Sequence, residues 1–370
     1  MQAPYQVKQV IEALGSKVET LGLNSWQLRT LSTIKNCRTL AMGGRIEQCE
    51  SCGKQHLFYN SCRNRHCPTC QGHKREEWIR AREAELLPVA YYHVVFTLPS
   101  ELNTLALHKP KQLYSILFKT AWATLKQFGK TEGLQLGMIT VLHTWGQNLS
   151  LHPHLHCIVP SVGVDHNGNA KRAGKSKKYL YCVKSLSLVF RAKFIAELRL
   201  GHYGNQLLYD KLFSKPWVVY AKRPFGSPKS VIEYLGRYTH KIAISNYRIK
   251  AINHTHVTFS YKDYNTEGKK KIMTLTHQEF VRRFAQHILP KRFIRIRHYG
   301  ILSSTYKRKK LPDLQKSLGQ NTLQQYKPKS LKGICPTCKK GRLKVILEFD
   351  SRGPPAFSLM GLQTLACSVN

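Results

Sequence analysis

Two hydrophobic periodicities alternate along the chain, and each predicts a different type of secondary structure. Apolar residues recur every three or four positions over 1–45, with a break near Gly22 and Asn24, and again over 110–128, which predicts helices. β-Branched and aromatic residues run together over 91–98 and 137–145, which predicts strands. The chain is therefore expected to contain both helices and strands.

The same patterns continue through the second half of the chain. A loop or hairpin is expected over 163–190. The further expected elements are helices over 73–88, 186–209, 228–244 and from near His277 to before Pro290, strands near Tyr179–Val183 and at 217–221, and a hairpin made of HVTFSYKD and KKIMTLT across Asn265 and Gly268.

A histidine-rich stretch lies immediately before an apolar run. His152, His154 and His156 recur at period two, and Cys157 and the residues after it are apolar. Side chains two apart in a strand point to the same face, so His154 and His156 present two imidazoles together. Two neutral imidazoles can share a divalent metal ion. The alternative is a histidine-rich strand with ordinary hydrogen bonds, and three histidines in five residues favour the metal.

Net charge is the feature of the composition that says most about the binding partner. The formal net charge is +39 over 370 residues. Such an excess indicates a polyanionic partner, since Lys and Arg gain affinity for phosphates through counterion release. No apolar run approaches 20 residues, and the N-terminus lacks a signal-peptide pattern. We therefore expect a cytoplasmic, nucleic-acid-binding protein that does not use a membrane.

Cysteine spacing predicts a structural zinc site near the N-terminus. The motifs CESC and CPTC offer two thiolate pairs with the spacing of zinc knuckles, and their ligands are Cys49, Cys52, Cys67 and Cys70. Cys62 and His66 lie between the pairs and are alternative ligands or ligands of a second ion. A lone CxxC, Cys335 and Cys338, is half of a further site, which Cys367 or a distant histidine would have to complete.

The helix expected over 228–244 carries two tyrosines. Tyr234 and Tyr238 are four residues apart and therefore lie on the same helix face. Core packing is the ordinary explanation of such a pair, but the histidine strand and the charge favour a catalytic role. Arg237 and Lys241 flank the tyrosines and are expected to contact phosphate.

The C-terminal part of the chain is strongly basic. Residues 291–344 contain sixteen Lys or Arg and one acidic residue, Asp313. This composition is typical of a nucleic-acid-binding arm. Its densest run, and the expected DNA contact, consists of Lys307, Arg308, Lys309 and Lys310.

Taken together, these motifs resemble the HUH endonuclease superfamily, and more closely the two-tyrosine rolling-circle transposases of the insertion sequence 91 family. The resemblance extends over nearly the whole chain and includes CESC…SCRNRHCPTCQ, VVFTLPSELN, VLHTWGQNLSLHPHLHCIVP, YLGRYTHKIAISNYRI and RIRHYGILSS. It implies an α+β fold, with a ferredoxin-like nuclease domain built on a central antiparallel sheet. This domain would occupy 91–300, between helices and a zinc module at 1–90 and a basic region at 301–370.

The resemblance also implies a reaction and its site. A tyrosine oxygen would attack single-stranded DNA at the transposon ends and target, giving a 5′-phosphotyrosine that stores the bond energy for rejoining. The family's histidine pair corresponds to His154 and His156, and its tyrosines to Tyr234 and Tyr238. The implied catalytic ion is Mg²⁺ or Mn²⁺. For its third ligand we expect Gln147, with His152 and His240 as alternatives.

Two other classes of function are also compatible with the sequence. A replication initiator or relaxase would share the site chemistry, although the zinc module and the LHTWGQ block favour a transposase. A non-catalytic zinc-containing regulator would explain the charge and the cysteines, but not the paired histidines and tyrosines.

Overall fold

The computed structural model divides the chain into two compact units. The first comprises Met1–Lys74, Ile242–Ile288 and Lys327–Asn370, and the second Arg75–Lys241 and Leu289–Tyr326. Residues described by the structure are 3–70, 85–174, 176, 179–225, 230–231, 242–263, 266–319 and 333–355. These units are discontinuous, so they cut across the three consecutive segments expected from the sequence.

Helices occupy most of the segments where apolar residues recur every three or four positions. In the described residues they are α1 Val7–Leu14, α2 Ser25–Lys35, α3 Asn103–His108, α4 Pro110–Thr131, α5 Val183–Leu200, α6 Gln206–Phe213, α7 His277–Gln286, α8 Ser304–Lys309 and α9 Leu311–Ser317. The break expected near Gly22 is confirmed, because Gly22 ends a 3-10 turn with a left-handed φ of 64° and α2 begins three residues later.

Strands form four sheets in the described part of the chain. They are β1 Gly44–Cys49, β2 Gln55–Tyr59, β3 Tyr91–Thr97, β4 Gly137–Trp145, β5 Leu151–Pro160, β6 Val162–Val164, β7 Ala170–Arg172, β8 Val219–Phe225, β9 Ile249–Ile252, β10 His256–Asp263, β11 Lys269–Thr276, β12 Ile296–Gly300 and β13 Leu343–Phe349. The predicted β10–β11 hairpin is confirmed in antiparallel register.

The second unit is built around a five-stranded antiparallel sheet with strand order β12-β4-β5-β3-β8. Every residue of β4 is buried, which is expected of a central strand covered on both faces. One face, represented by Phe96, Leu142 and Leu155, belongs to the main hydrophobic core. The other face carries Ile139 and Ile158 in a second apolar cluster and, farther along the strands, the histidines.

Helices α4 and α5 contribute to the core on the apolar face. Pro110 begins α4, where its missing N–H costs no helical hydrogen bond. Leu113, Leu117 and Leu125 recur along this helix and are fully buried. Each such leucine contributes about 1.5–3 kcal/mol relative to an exposed one. Apolar helix side chains therefore pack against the core face of the sheet and stabilise the strands that carry the histidines on the opposite face.

Three local predictions need correction. The strand expected near Tyr179–Val183 is absent, because α5 begins at Val183. The single helix expected over 186–209 is two helices, separated where Gly201 ends α5. The segment expected as a basic arm is folded in its described parts: β12 is an edge strand of the central sheet, and β13 pairs with β1.

Helix length and composition also bear on membrane association. No helix among the described residues combines the length and apolar character that are required to span a bilayer.

Candidate functional site

Two neighbouring strands of the central sheet carry the histidines that sequence analysis assigned to a metal. His154 and His156 lie two residues apart in β5 and therefore on the same face. The antiparallel register places His143 of β4 directly opposite His154. The ring centroids of His154 and His156 are 4.9 Å apart. The predicted histidine pair is thus adjacent in space.

His143 extends this pair to a group of three imidazoles. Each ring offers one nitrogen, and the three nitrogens all lie within 4.8 Å of one another. His143 and His156 are only 2% and 8% exposed, whereas His154 is half-buried. A ligand would therefore meet the group most readily beside His154.

His143 was not predicted as a ligand, although the sequence contains a signal for it. Counting outward from the turn at Asn148 and Leu149 pairs His143 with His154, as in the observed register. Gln147, which we expected as the third ligand, lies in this turn, and its role stays a prediction. Of the two alternatives, His152 is exposed, and His240 lies outside the described residues.

Hydrogen bonds set the orientation of the ligand rings. Nδ1 of His154 lies 2.7 Å from the carbonyl oxygen of His152. Because a carbonyl only accepts, Nδ1 of His154 carries the proton and Nε2 keeps its lone pair. This is the arrangement by which a histidine binds a metal through one nitrogen while the other is held by the protein.

A fourth histidine, His93, lies within hydrogen-bond distance of His156 and orients its ring. Nε2 of His93 in β3 lies 3.0 Å from Nδ1 of His156, and the two ring planes differ by only 11°. Burial, followed by the charges of Lys222 and His154, lowers the pKa of His93 to about 3. A neutral His93 can accept a hydrogen bond from Nδ1 of His156, so Nε2 of His156 is then the nitrogen that can bind a metal. His93 was not predicted as part of the site, because a single histidine within an apolar strand is a weak signal in the sequence.

The donor set restricts which ion fits. Within the described part of the chain, the group contains three imidazoles and no carboxylate. Imidazole suits first-row transition ions, whereas Mg²⁺ prefers hard oxygen ligands and keeps several waters. Three histidines therefore fit Mn²⁺ better than Mg²⁺ among the two expected ions.

Four predicted site residues cannot be placed relative to this group. Tyr234, Tyr238, Arg237 and Lys241 all lie outside the described residues. Their catalytic and DNA-binding roles stay predictions.

The N-terminal cysteines also form a metal-binding arrangement, in the first unit. Cys37, Cys62, Cys67 and Cys70 bring their sulfur atoms within 4.8 Å of one another. Sγ of Cys70 lies 3.4 Å from that of Cys37 and 3.6 Å from that of Cys62. Hydrogen bonds from Cys62 and Cys67 lower the pKa of Cys37 to about 7, which favours the thiolate that metals bind.

The prediction that Cys49, Cys52, Cys67 and Cys70 share one site is wrong. The structure places the first pair in a different cluster, with Cys335 and Cys338. The physical reason is the β1–β2 hairpin. Cys49 and Cys52 lie at its turn, and the five residues of β2 carry the chain about 16 Å away before Cys67 is reached. Cys62, named as an alternative ligand, belongs to the second pair's cluster, while Cys37 was not anticipated.

The basic run at α8 contains side chains in two different environments. The ammonium of Lys307 pairs with the carboxylate of Glu85 and donates to Nδ1 of His298 at 3.1 Å, and its side chain is 12% exposed. Arg308, Lys309 and Lys310 are exposed. These three retain the exposure that DNA contact requires, whereas Lys307 is engaged with Glu85 and His298.

Two known protein-family models match this chain, one in its N-terminal part and one in the region that contains the histidines. A family model described as "Transposase zinc-binding domain" matches residues 7–98. A second model, described as "Putative transposase", matches residues 137–310, which include the three histidines. The zinc-binding match and the cysteine clusters together support a structural zinc ion in the first unit.

Full-length relatives agree with the family models. The "Putative transposase y4qJ" of Sinorhizobium fredii is 37% identical over 92% of this chain and 94% of its own length. The "Transposase for insertion sequence element IS801" of Pseudomonas savastanoi pv. phaseolicola is 27% identical over 82% of this chain and 77% of its own length. No solved structure matches the chain. The two family models and these full-length relatives show that the chain belongs to the insertion sequence 91 family of transposases.

Proposed function

We propose that this transposase nicks single-stranded DNA at the ends of an insertion sequence and joins it to a target through a 5′-phosphotyrosine intermediate. The observation that carries the proposal is the group of three imidazoles on one face of the central sheet, with nitrogens within 4.8 Å of one another. This reaction is the one used in rolling-circle transposition, and the three histidines are its proposed metal centre.

Each histidine has a defined part in this proposal. His143, His154 and His156 would hold a divalent ion through one nitrogen each. When bound, this ion would polarise the scissile phosphate and stabilise the charge that develops on its oxygens. The hydrogen bonds from His154 to the carbonyl of His152 and between His156 and His93 fix the ring orientations before DNA binds.

The chemical step assigns the remaining roles to the tyrosines. The phenol oxygen of Tyr238 or Tyr234 loses its proton and attacks phosphorus. The bond from phosphorus to the 3′ oxygen breaks, that oxygen takes up a proton and leaves as a hydroxyl, and the 5′ phosphate stays on the tyrosine. Reversal with a new 3′ hydroxyl restores the phosphodiester without ATP. A second tyrosine allows one strand to stay bound while another is cut.

Two exposed side chains on the histidine face can position the DNA. The register of β8 with β3 places Tyr220 opposite Val95 and Lys222 opposite His93. Because Val95 pairs in turn with His156, the backbone of Tyr220 lies two strand spacings, or about 10 Å, from that of His156 across the sheet. Lys222 offers a cation for the backbone and Tyr220 a ring on which a base can stack.

A covalent-adduct assay tests this proposal. The full-length protein is incubated with Mn²⁺ and a labelled single-stranded oligonucleotide carrying the element's own end. We expect an adduct that survives denaturation and is absent without a divalent ion. Tyr234→Phe and Tyr238→Phe should each reduce it, and the double variant should remove it, because Phe keeps the ring and removes only the oxygen.

Tyr220→Phe tests the alternative nucleophile, since Tyr220 is 51% exposed and shares the face of the histidines. It keeps the ring on which a base can stack and removes only the oxygen, so it should leave adduct formation intact. If the adduct persists in the double variant but disappears in Tyr220→Phe, the nucleophile is Tyr220 and the two-tyrosine assignment is wrong. If wild-type protein forms no adduct with any end sequence, the phosphotyrosine mechanism is rejected.

A further inference from the structure

The strand β13, from the far end of the sequence, completes a sheet with the N-terminal hairpin. It pairs antiparallel with β1 from Gly44↔Phe349 to Cys49↔Leu343, giving the order β13-β1-β2. The Cys335–Cys338 pair lies shortly before β13, and Cys49 is the last residue of β1. This register therefore brings two CxxC pairs together that are almost 300 residues apart in sequence.

The four sulfur atoms form a compact group. All of them lie within 4.8 Å of one another. Sγ of Cys49 is 3.6 Å from Sγ of Cys338, and Sγ of Cys52 is 3.8 Å from Sγ of Cys335. A disulfide requires about 2.05 Å, and these cysteines are free thiols. The spacing instead fits four ligands around one ion.

Both pairs lie on turns of the same construction. The N–H of Gly53 donates to the carbonyl of Cys49 at 3.0 Å, and the N–H of Lys339 donates to the carbonyl of Cys335 at 2.9 Å. Gly53 and Lys339 have left-handed φ angles of 67° and 57°. Two turns that each present a pair of sulfurs to the same point are the construction of a four-cysteine zinc ribbon.

Backbone donors support negative charge on these sulfurs. The N–H of Cys52 donates to Sγ of Cys49 at 3.5 Å, and the N–H of Gly341 donates to Sγ of Cys338 at 3.3 Å. Thiolate is the form that a metal binds.

Two residues next to the four sulfur atoms, His56 and Gly341, also suit a metal site. Nε2 of His56, a residue 2% exposed, lies 3.4 Å from Sγ of Cys335 and can donate its proton to a thiolate there. A Cβ at Gly341 would meet Sγ of Cys49 at 2.4 Å and Oγ of Ser51 at 2.6 Å. A glycine is therefore required for the second turn to approach the first.

We propose that these two pairs bind a second structural zinc ion, independent of the one at the N-terminal cluster. Its ligands are Cys49, Cys52, Cys335 and Cys338. Two of them lie well beyond the residues matched by the zinc-binding family model, which ends at residue 98. The ion joins the C-terminal strand to the N-terminal hairpin, so the zinc-binding module of this protein is assembled from both ends of the sequence.

Zinc analysis of purified full-length variants tests the proposal. Cys335→Ser/Cys338→Ser should contain one zinc fewer per chain than the wild type, and Cys49→Ser/Cys52→Ser should also lose one. Combining all four substitutions should lose no more than one, because the pairs share an ion. Cys182→Ser, which changes an exposed cysteine outside both clusters, is the control and should lose none. Equal zinc in the wild type and Cys335→Ser/Cys338→Ser overturns the proposal, as does a loss of two in the fourfold variant.

Alkylation of the unmodified protein provides a test that needs no variant to fold. Cys52 and Cys182 are both exposed, so iodoacetamide can reach both thiols. We expect the labelling of Cys52 to rise when a chelator is added while that of Cys182 stays constant, and Cys335 and Cys338 should become reactive together with Cys52. Labelling of Cys52 that a chelator leaves unchanged rejects the site.

Discussion

Nε2 of His93 and Nδ1 of His156 are 3.0 Å apart, with ring planes inclined by 11°. His93 is 2% exposed and lies on β3, next to the strand that carries His156. The short separation and the near-parallel planes fit a hydrogen bond between ring edges. His93 thereby fixes which nitrogen of His156 faces the proposed ion.

The first prediction concerns this contact. His93→Phe removes the acceptor and should weaken Mn²⁺ binding about 10- to 100-fold, the range typical of lost outer hydrogen bonds to metal ligands. His93→Gln keeps an oxygen acceptor and should retain more of the affinity. Calorimetric titration with Mn²⁺ measures both variants, with circular dichroism as a check of folding. A His93→Phe protein that folds and binds Mn²⁺ as tightly as the wild type would show that His93 has no positioning role.

The second prediction tests whether His143 or Gln147 supplies the third ligand to the metal ion. His143→Ala, His154→Ala and His156→Ala should each abolish Mn²⁺-dependent nicking while leaving single-strand DNA affinity nearly unchanged, because affinity comes mainly from phosphate contacts. Gln147→Ala should have a smaller effect if His143 supplies the third nitrogen. Nicking rates measured over a range of Mn²⁺ concentrations provide the comparison. Full activity in His143→Ala with loss in Gln147→Ala would reverse the assignment.

The third prediction separates two roles within the basic run of α8. Replacing Arg308, Lys309 and Lys310 by Gln should weaken binding to all DNA sequences and reduce the salt slope by roughly one unit for each phosphate that the variant no longer neutralises. Lys307→Gln should instead lower thermal stability, because it breaks a partly buried pair with Glu85. Fluorescence titrations at several salt concentrations and thermal melts test both effects. A change in salt slope for Lys307→Gln alone would contradict the assignment.

The fourth prediction concerns the edge of the central sheet. Gly300 has a φ of 57°, and a Cβ there would lie 1.8 Å from the carbonyl oxygen of Leu136. Gly300→Ala should therefore lower the free energy of unfolding by about 2–4 kcal/mol, from overpacking and backbone strain combined.

Gly268→Ala is the matched control for this substitution. Gly268 also has a positive φ, 79°, but a Cβ there meets nothing within 4 Å. Its cost should be limited to the left-handed backbone, about 1–2 kcal/mol. Denaturant unfolding followed by tryptophan fluorescence compares the two, and equal destabilisation would show that the close approach to Leu136 contributes nothing.

Sequence periodicity was a reliable guide where local geometry decides the outcome. The alternation of side chains in a strand is a property of the backbone itself, so the pairing of His154 with His156 on one face followed once a strand was predicted there. The apolar stripe of α4 and the hairpin of β10 and β11 were predictable for the same reason. CxxC spacing likewise identified the thiolate pairs, because each pair is confined to a single turn.

Tertiary structure alone decided which of these local features meet. His93 and His143 join the histidine pair through the registers of β3 and β4 with β5, and Cys335 and Cys338 reach Cys49 through the register of β13 with β1. A strand's own sequence specifies which residues share a face but not which strand pairs with it, because pairing depends on burial of the whole sheet. The sequence by itself therefore determined the kinds of ligand this protein has, and long-range strand pairing determined how they are grouped into sites.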